Sequence, residues 1–81
     1  MRQPLVIETA SRATAECIAE ALEEFGTEVR KTRDRWTVTV VHEDFEVGPL
    51  FVALEDCLTA YGIHSVQVNF GKRRYLMVPS P

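Results

Sequence analysis

The chain has 81 residues, 46% of them hydrophobic and 26% charged, which is the composition of a small globule and excludes a disordered or fibrous chain. Nine Lys and Arg against twelve Asp and Glu leave a net charge of -3, so an overall basic footprint for nucleic acid is absent. Two cysteines are too few for a disulfide scaffold. A single domain over residues 1–81 is expected. Its core must be thin, because a domain this size buries only about 60–65% of its unfolded surface. The first apolar run, Leu5 to Ile7, is too short for a signal-peptide core, and no run approaches a membrane span. The expectation is a reduced, cytoplasmic protein with no membrane partner.

Leu5-Val6-Ile7-Glu8-Thr9 is short and β-branched, and predicts a strand near 4–9. Ser11 stands where a helix N-cap would, before Ile18, Ala21, Leu22 and Phe25 at offsets of three, four and seven. A helix over 12–25 follows, closed by Gly26. Strands near 28–32 and 35–42 form a hairpin about Arg33-Asp34, with Trp36, Val38 and Val40 alternating against Thr37, Thr39 and Val41. Gly48-Pro49 opens a second helix near 49–61, where proline in the first turn sacrifices no bond. Its stripe is Leu50, Phe51, Leu54, Cys57, Leu58 and Tyr61, and Gly62 ends it. Strands near 64–70 and 73–78 close the chain about the turn Gly71-Lys72, before Pro79 blocks continuation. The predicted core is Leu5, Ile7, Ile18, Leu22, Phe25, Trp36, Val38, Val40, Leu50, Leu54, Leu58, Tyr61, Val66 and Val68.

This order predicts an α+β fold, the ferredoxin-like split βαβ sandwich (βαββαβ plus a C-terminal strand) with an antiparallel sheet and both helices on one face. The crossover rule then puts the first strand between the third and fourth, with the last strand beside the fourth. The halves also echo each other. With Gly26 aligned on Gly62, Ile18 falls on Leu54, Leu22 on Leu58 and Phe25 on Tyr61, while Arg35-Trp36 parallels Arg74-Tyr75. That pattern suggests a duplicated unit.

Gly48-Pro49-Leu50, followed by Leu54, Leu58 and Gly62-Ile63, resembles the Pro/Gly-Leu helix start and Gly-Ile helix end of the small-molecule-sensing ACT domains. The resemblance covers about the second half of the chain. In that family the motif follows the first strand, whereas here it follows the third. It implies a ligand-sensing domain of the same sandwich fold.

The residues that carry chemistry are sparse. Cys57 falls in the apolar stripe of the second helix and Cys17 borders that of the first. Neither has a His, Lys or Arg placed by local sequence to activate it, so both read as structural. His42 and His64 are placed at opposite ends of the sheet, so no shared metal or acid–base pair is expected. His42-Glu43-Asp44 reads as a solvated turn rather than a cation site. Four glycines stand singly at element boundaries, without a Gly-x-Gly-x-x-Gly or Walker loop, and no cofactor is expected.

Charge is the uneven feature. Arg30, Lys31, Arg33 and Arg35 gather at the first hairpin, and Lys72, Arg73 and Arg74 at the second turn. Glu16, Glu20 and Glu24 line one side of the first helix at i, i+4 spacing. Trp36 and Phe70 share the parity that faces the helices, so the open sheet face lacks the aromatic platform on which RNA bases stack. Nucleic acid is therefore disfavoured as a partner. The expected function is a non-enzymatic regulatory or protein-interaction module that forms a homodimer through a sheet face or edge. The alternative is an anion site where the end of the first strand, the first helix N-terminus and the hairpin tip meet. Thr9, Ser11, Arg12, Arg33 and Arg35 would compose it, for a phosphate, nucleotide or nucleic-acid backbone.

Overall fold

The computed structural model describes residues 4–41 and 46–79. The elements are β1 (Leu5–Thr9), α1 (Arg12–Ala21), a 3-10 turn (Glu23–Phe25), β2 (Thr27–Thr32), β3 (Arg35–Val40), α2 (Val47–Tyr61), β4 (Val66–Phe70) and β5 (Arg73–Met77). The fold is α+β: one five-stranded antiparallel sheet in the order β2-β3-β1-β4-β5, with two helices. β1 pairs with β3 on one side and β4 on the other, and β5 adds a strand beyond β4. The added strand makes the order differ from that of a four-stranded split βαβ sheet.

Strand alternation decides the core. Leu5 and Ile7 lie opposite Val40 and Val38 of β3, and Ile7 lies opposite Val68 of β4. All five are buried with Ile18 and Leu22 from α1 and Leu50, Leu54 and Leu58 from α2 in one cluster. Period 2 in the strands and period 3.6 in the helices therefore converge on a shared layer. The other parity of the sheet carries Glu8, Thr39, Gln67 and Asn69, each half-buried among its polar neighbours.

α1 is four residues shorter than its spacing predicts. Leu22 leaves helical geometry (φ -103°, ψ 19°), and the chain tightens into bonds from Phe25 N–H to the Leu22 carbonyl and Gly26 N–H to that of Glu23. A 3-10 turn stacks residues three apart, so Leu22 and Phe25 share one side and Phe25 packs against the core, half-buried. α2 begins two residues early, at Val47, which places Pro49 third in the helix, still among the donors that have no intrahelical acceptor. β2 starts one residue early and β3 ends at Val40, and residue 42 of the expected strand lies outside the described residues.

Tyr61 is a correction. It was expected in the core and is 58% exposed. Gly62 adopts the left-handed conformation (φ 65°, ψ 31°), its N–H meets the Thr59 carbonyl, and Ile63 N–H meets that of Leu58 at 2.9 Å. This is a Schellman closure, which swings the residue after the glycine back under the helix. Ile63, not Tyr61, packs against the core there. The closure also delays β4, which starts at Val66 and leaves His64 and Ser65 exposed. Trp36, likewise expected in the core, is half-buried against it.

The sequence echo is not a structural repeat. After α1 the first strand, β2, takes the sheet edge and β3 lies inside, whereas after α2 the first strand, β4, lies inside and β5 takes the edge. Arg35-Trp36 therefore starts an inner strand and Arg74-Tyr75 sits on an edge. The reason is that β1 offers two sides, and β3 and β4 each claim one.

Two glycines of α2 should respond oppositely to alanine. At Gly62 a Cβ meets no atom within 4 Å, but the positive φ strains any L side chain. Gly62→Ala should cost about 1–2 kcal/mol in urea unfolding. Gly48 is helical with open space around it. Gly48→Ala should raise stability by up to about 1 kcal/mol. Equal effects at both sites would contradict the cap assignment.

Candidate functional site

The end of the sheet at which β1 finishes gathers most of the chemistry expected there. Thr9 is buried and lies opposite Trp36 on β3, and Lys31 of β2 lies opposite Trp36 on the other side. The Arg12 guanidinium and the Lys31 ammonium each stand 5.8 Å from the Trp36 ring centroid. Two cations thus share one indole, a geometry in which each attraction contributes roughly 0.5–1 kcal/mol when exposed. Arg12 also bonds Glu16 one turn along, at 2.8 Å between exposed side chains. Ser11 is the N-cap of α1: its hydroxyl accepts from Thr14 N–H at 3.1 Å and donates to the Thr14 hydroxyl at 2.8 Å.

Of the five residues expected to form an anion site, the structure therefore brings Thr9, Ser11 and Arg12 to one corner. Arg33 lies in the turn between β2 and β3. Arg35 precedes Trp36, so alternation turns it toward the opposite face of the sheet from the Arg12 guanidinium. Two residues not assigned to this corner from the sequence, Lys31 and Trp36, lie closer to its centre. Their signal was present as a cation five residues before a tryptophan across a two-residue turn, which the hairpin register converts into a directly opposed pair. Glu28 bonds Arg30 at 2.6 Å, and Glu8 accepts from the Asn69 amide at 2.8 Å.

That Glu8–Asn69 bond, extended by Gln67 donating to Asn69 at 3.3 Å, ties β1 to β4 across the open face. Thr37 donates to the Arg30 carbonyl and is almost completely buried despite facing this side. The face is thus occupied by its own polar network.

The cysteines meet between the helices. Cys57 is buried and its thiol points at the Cys17 carbonyl oxygen, 3.8 Å away, while Cys17 is half-buried. Burial raises the Cys57 thiol above its ordinary pKa, and Cys17 adds to the rise. An activated nucleophile needs the reverse shift. The folded state thus holds this proton more tightly than the unfolded one. The resulting stability is complete below the unfolded thiol pKa and is lost as pH rises through the folded one. In urea unfolding, wild type should lose stability above about pH 9 by more than Cys57→Ala does. Identical pH profiles would show that the thiol does not sense burial. His64 is exposed, whereas His42, Glu43 and Asp44 lie outside the described residues. Among the described residues no group of three or more His, Cys, Asp or Glu converges as a metal site would.

The two sheet edges differ. β2 carries Glu28, Arg30 and Lys31, charges of the kind that blunt an edge. β5 reads Arg73-Arg74-Tyr75-Leu76-Met77, with both charges at one end and Leu76 70% exposed. Gly71 (φ 64°) is the first of the two turn residues joining β4 to β5, where a type II′ hairpin requires positive φ. In such a hairpin Phe70 and Arg73 form the first bonded pair, so alternation turns the N–H and C=O of Arg74 and Leu76 outward. Among the described residues no helix is long and apolar enough to cross a membrane. The chain matches no protein-family model, no curated protein and no solved structure.

Proposed function

We propose that this chain is a non-enzymatic interaction module that associates with a second copy of itself through the outer edge of β5. The observation that carries the reading is Leu76, 70% exposed in the middle of an edge strand whose outward backbone groups have no strand beside them among the described residues. An unprotected edge with an apolar centre is the template for pairing with another strand. Antiparallel self-pairing about Leu76 sets the two leucines together and each Arg74 opposite Val78 of the second copy, so the arginines never face one another. The framework is a ferredoxin-like split βαβ sandwich widened by β5, and dimerisation makes a ten-stranded sheet of it. Nucleic acid remains disfavoured as a partner, because the open face presents Glu8 and amides rather than stacking rings. A buried Cys57 thiol with a raised pKa supports a role without covalent catalysis.

Size-exclusion chromatography with light scattering tests this. Wild type should run at twice the 9.2 kDa chain mass. Leu76→Lys should be monomeric at the same concentration and equally stable to urea, since it adds a charge to an exposed position. A monomeric wild type at concentrations up to about 1 mM, or a dimer indifferent to Leu76→Lys, would overturn the reading.

A further inference from the structure

The fifth strand widens the sheet beyond what two helices cover. α1 packs across β1, β2 and β3, and α2 packs against α1. Of the helix-facing residues of β5, Met77 packs against the core, whereas Arg73 and Tyr75 consequently remain exposed. Between them and the outer flank of α2 lies an open cavity of about 410 Å³, lined by Val47, Phe51, Phe70, Lys72, Arg73 and Tyr75. The Phe51 and Tyr75 rings meet edge to face, 6.3 Å between centroids and 68° between planes, and join the helix wall to the strand wall. The cavity is therefore bounded by structured elements on two sides.

Its lining divides into an apolar body and a cationic rim. Val47, Phe51 and Tyr75 supply apolar surface, and Lys72 and Arg73 bring two positive charges, with no carboxylate among the described lining residues. The ion pairs among the described residues, Arg12–Glu16 and Arg30–Glu28, involve neither cation. The volume falls within the range of small-molecule sites, about 300–1,000 Å³, which combine apolar walls with a few polar groups that fix orientation. A guanidinium offers a carboxylate two parallel hydrogen bonds, and a neighbouring ammonium adds attraction.

We infer that the cavity between α2 and β5 is a binding site for a small amphipathic carboxylate, with the apolar body against Phe51 and Tyr75 and the carboxylate at Arg73 and Lys72. The site goes beyond the self-association reading and does not depend on it. Leu76 lies on the opposite face of β5 from Tyr75, so edge pairing and ligand binding use different surfaces.

The test uses the full chain and 3-phenylpropionate as the probe, followed by amide NMR. Acetate serves as a head without a body, and 3-phenylpropan-1-ol as a body without a charge. Resonances of residues 47–51 and 70–75 should shift together with a millimolar dissociation constant. The alcohol and acetate should each bind about tenfold more weakly or not at all. Lys72→Gln with Arg73→Gln should weaken 3-phenylpropionate about tenfold while leaving the remaining spectrum in place. The monomeric variant Leu76→Lys should bind as wild type does. The site is wrong if no shifts occur by about 20 mM or they scatter over the surface. It is equally wrong if the alcohol binds as well as the acid, if the double variant binds normally, or if Leu76→Lys abolishes binding. A monomeric wild type that binds 3-phenylpropionate would sink the self-association alone, and a dimeric wild type that does not bind it would sink the site alone.

Discussion

Replacing Leu54 or Leu58 with alanine should remove about 2–5 kcal/mol of stability, the largest effect expected in this chain. Both side chains are completely buried in the cluster that joins α2 to α1 and the sheet. Alanine removes their transfer free energy and leaves a cavity that the surrounding leucines and valines fill only in part. Natural domains of this size have roughly 4–12 kcal/mol to lose, so either variant should bring the fold near its threshold. Urea unfolding at 25 °C measures the loss directly, and an unfolded variant also meets the expectation. Val52, on the same helix and 62% exposed, supplies the contrast: Val52→Ala should change stability by no more than about 0.5 kcal/mol. A loss below about 1 kcal/mol at both leucines would mean that α2 is rotated from the orientation described.

Trp36→Ala should be the next most damaging change, at about 2–3 kcal/mol. The indole is half-buried against the core, opposite buried Thr9, and holds Arg12 and Lys31 over its ring. Alanine removes the packing and frees both cations, while Trp36→Phe keeps the packed ring and part of the attraction and should cost about 1 kcal/mol. Because Trp36 is the sole tryptophan, fluorescence of Arg12→Ala and Lys31→Ala reports this corner independently of stability. Each single variant should shift the emission. An unchanged spectrum in both, or a Trp36→Ala loss below about 1 kcal/mol, would show that the corner contributes little.

The elements were legible where one period dominated. Leu5 and Ile7, Val38 and Val40, and Val66 and Val68 are buried as alternation requires, and Ile18, Leu22, Leu50, Leu54 and Leu58 as helical spacing requires. Element ends were less legible: helical spacing continues through Phe25 although α1 stops at Ala21, and Tyr61, the last residue of α2, keeps the spacing yet stays exposed. At Phe25 a 3-10 turn preserves the direction of the side chain while ending the helix. At Tyr61 the Schellman bonds give its expected place to Ile63. In both cases a local hydrogen bond, rather than the hydrophobic pattern, chooses the geometry.

The candidate sites divide along the same line. That cations gather near residues 30–35 and 72–74 is written in the chain. Which of them share a surface is not, since a one-residue step along a strand reverses the face a side chain occupies. Hence Lys31 joins Arg12 on Trp36 while Arg35 turns away, and Arg73 enters the cavity beside Phe51 while Leu76 faces the other side of β5.

Composition, periodicity and turn residues by themselves determined that this chain makes two amphipathic helices and five short strands, because those signals act between residues near in sequence. Only the tertiary structure decided that Arg12 and Lys31 meet on Trp36, and that the sheet outruns its helices to leave a cavity. Those outcomes depend on side chains from distant segments reaching the same surface, which no local pattern records.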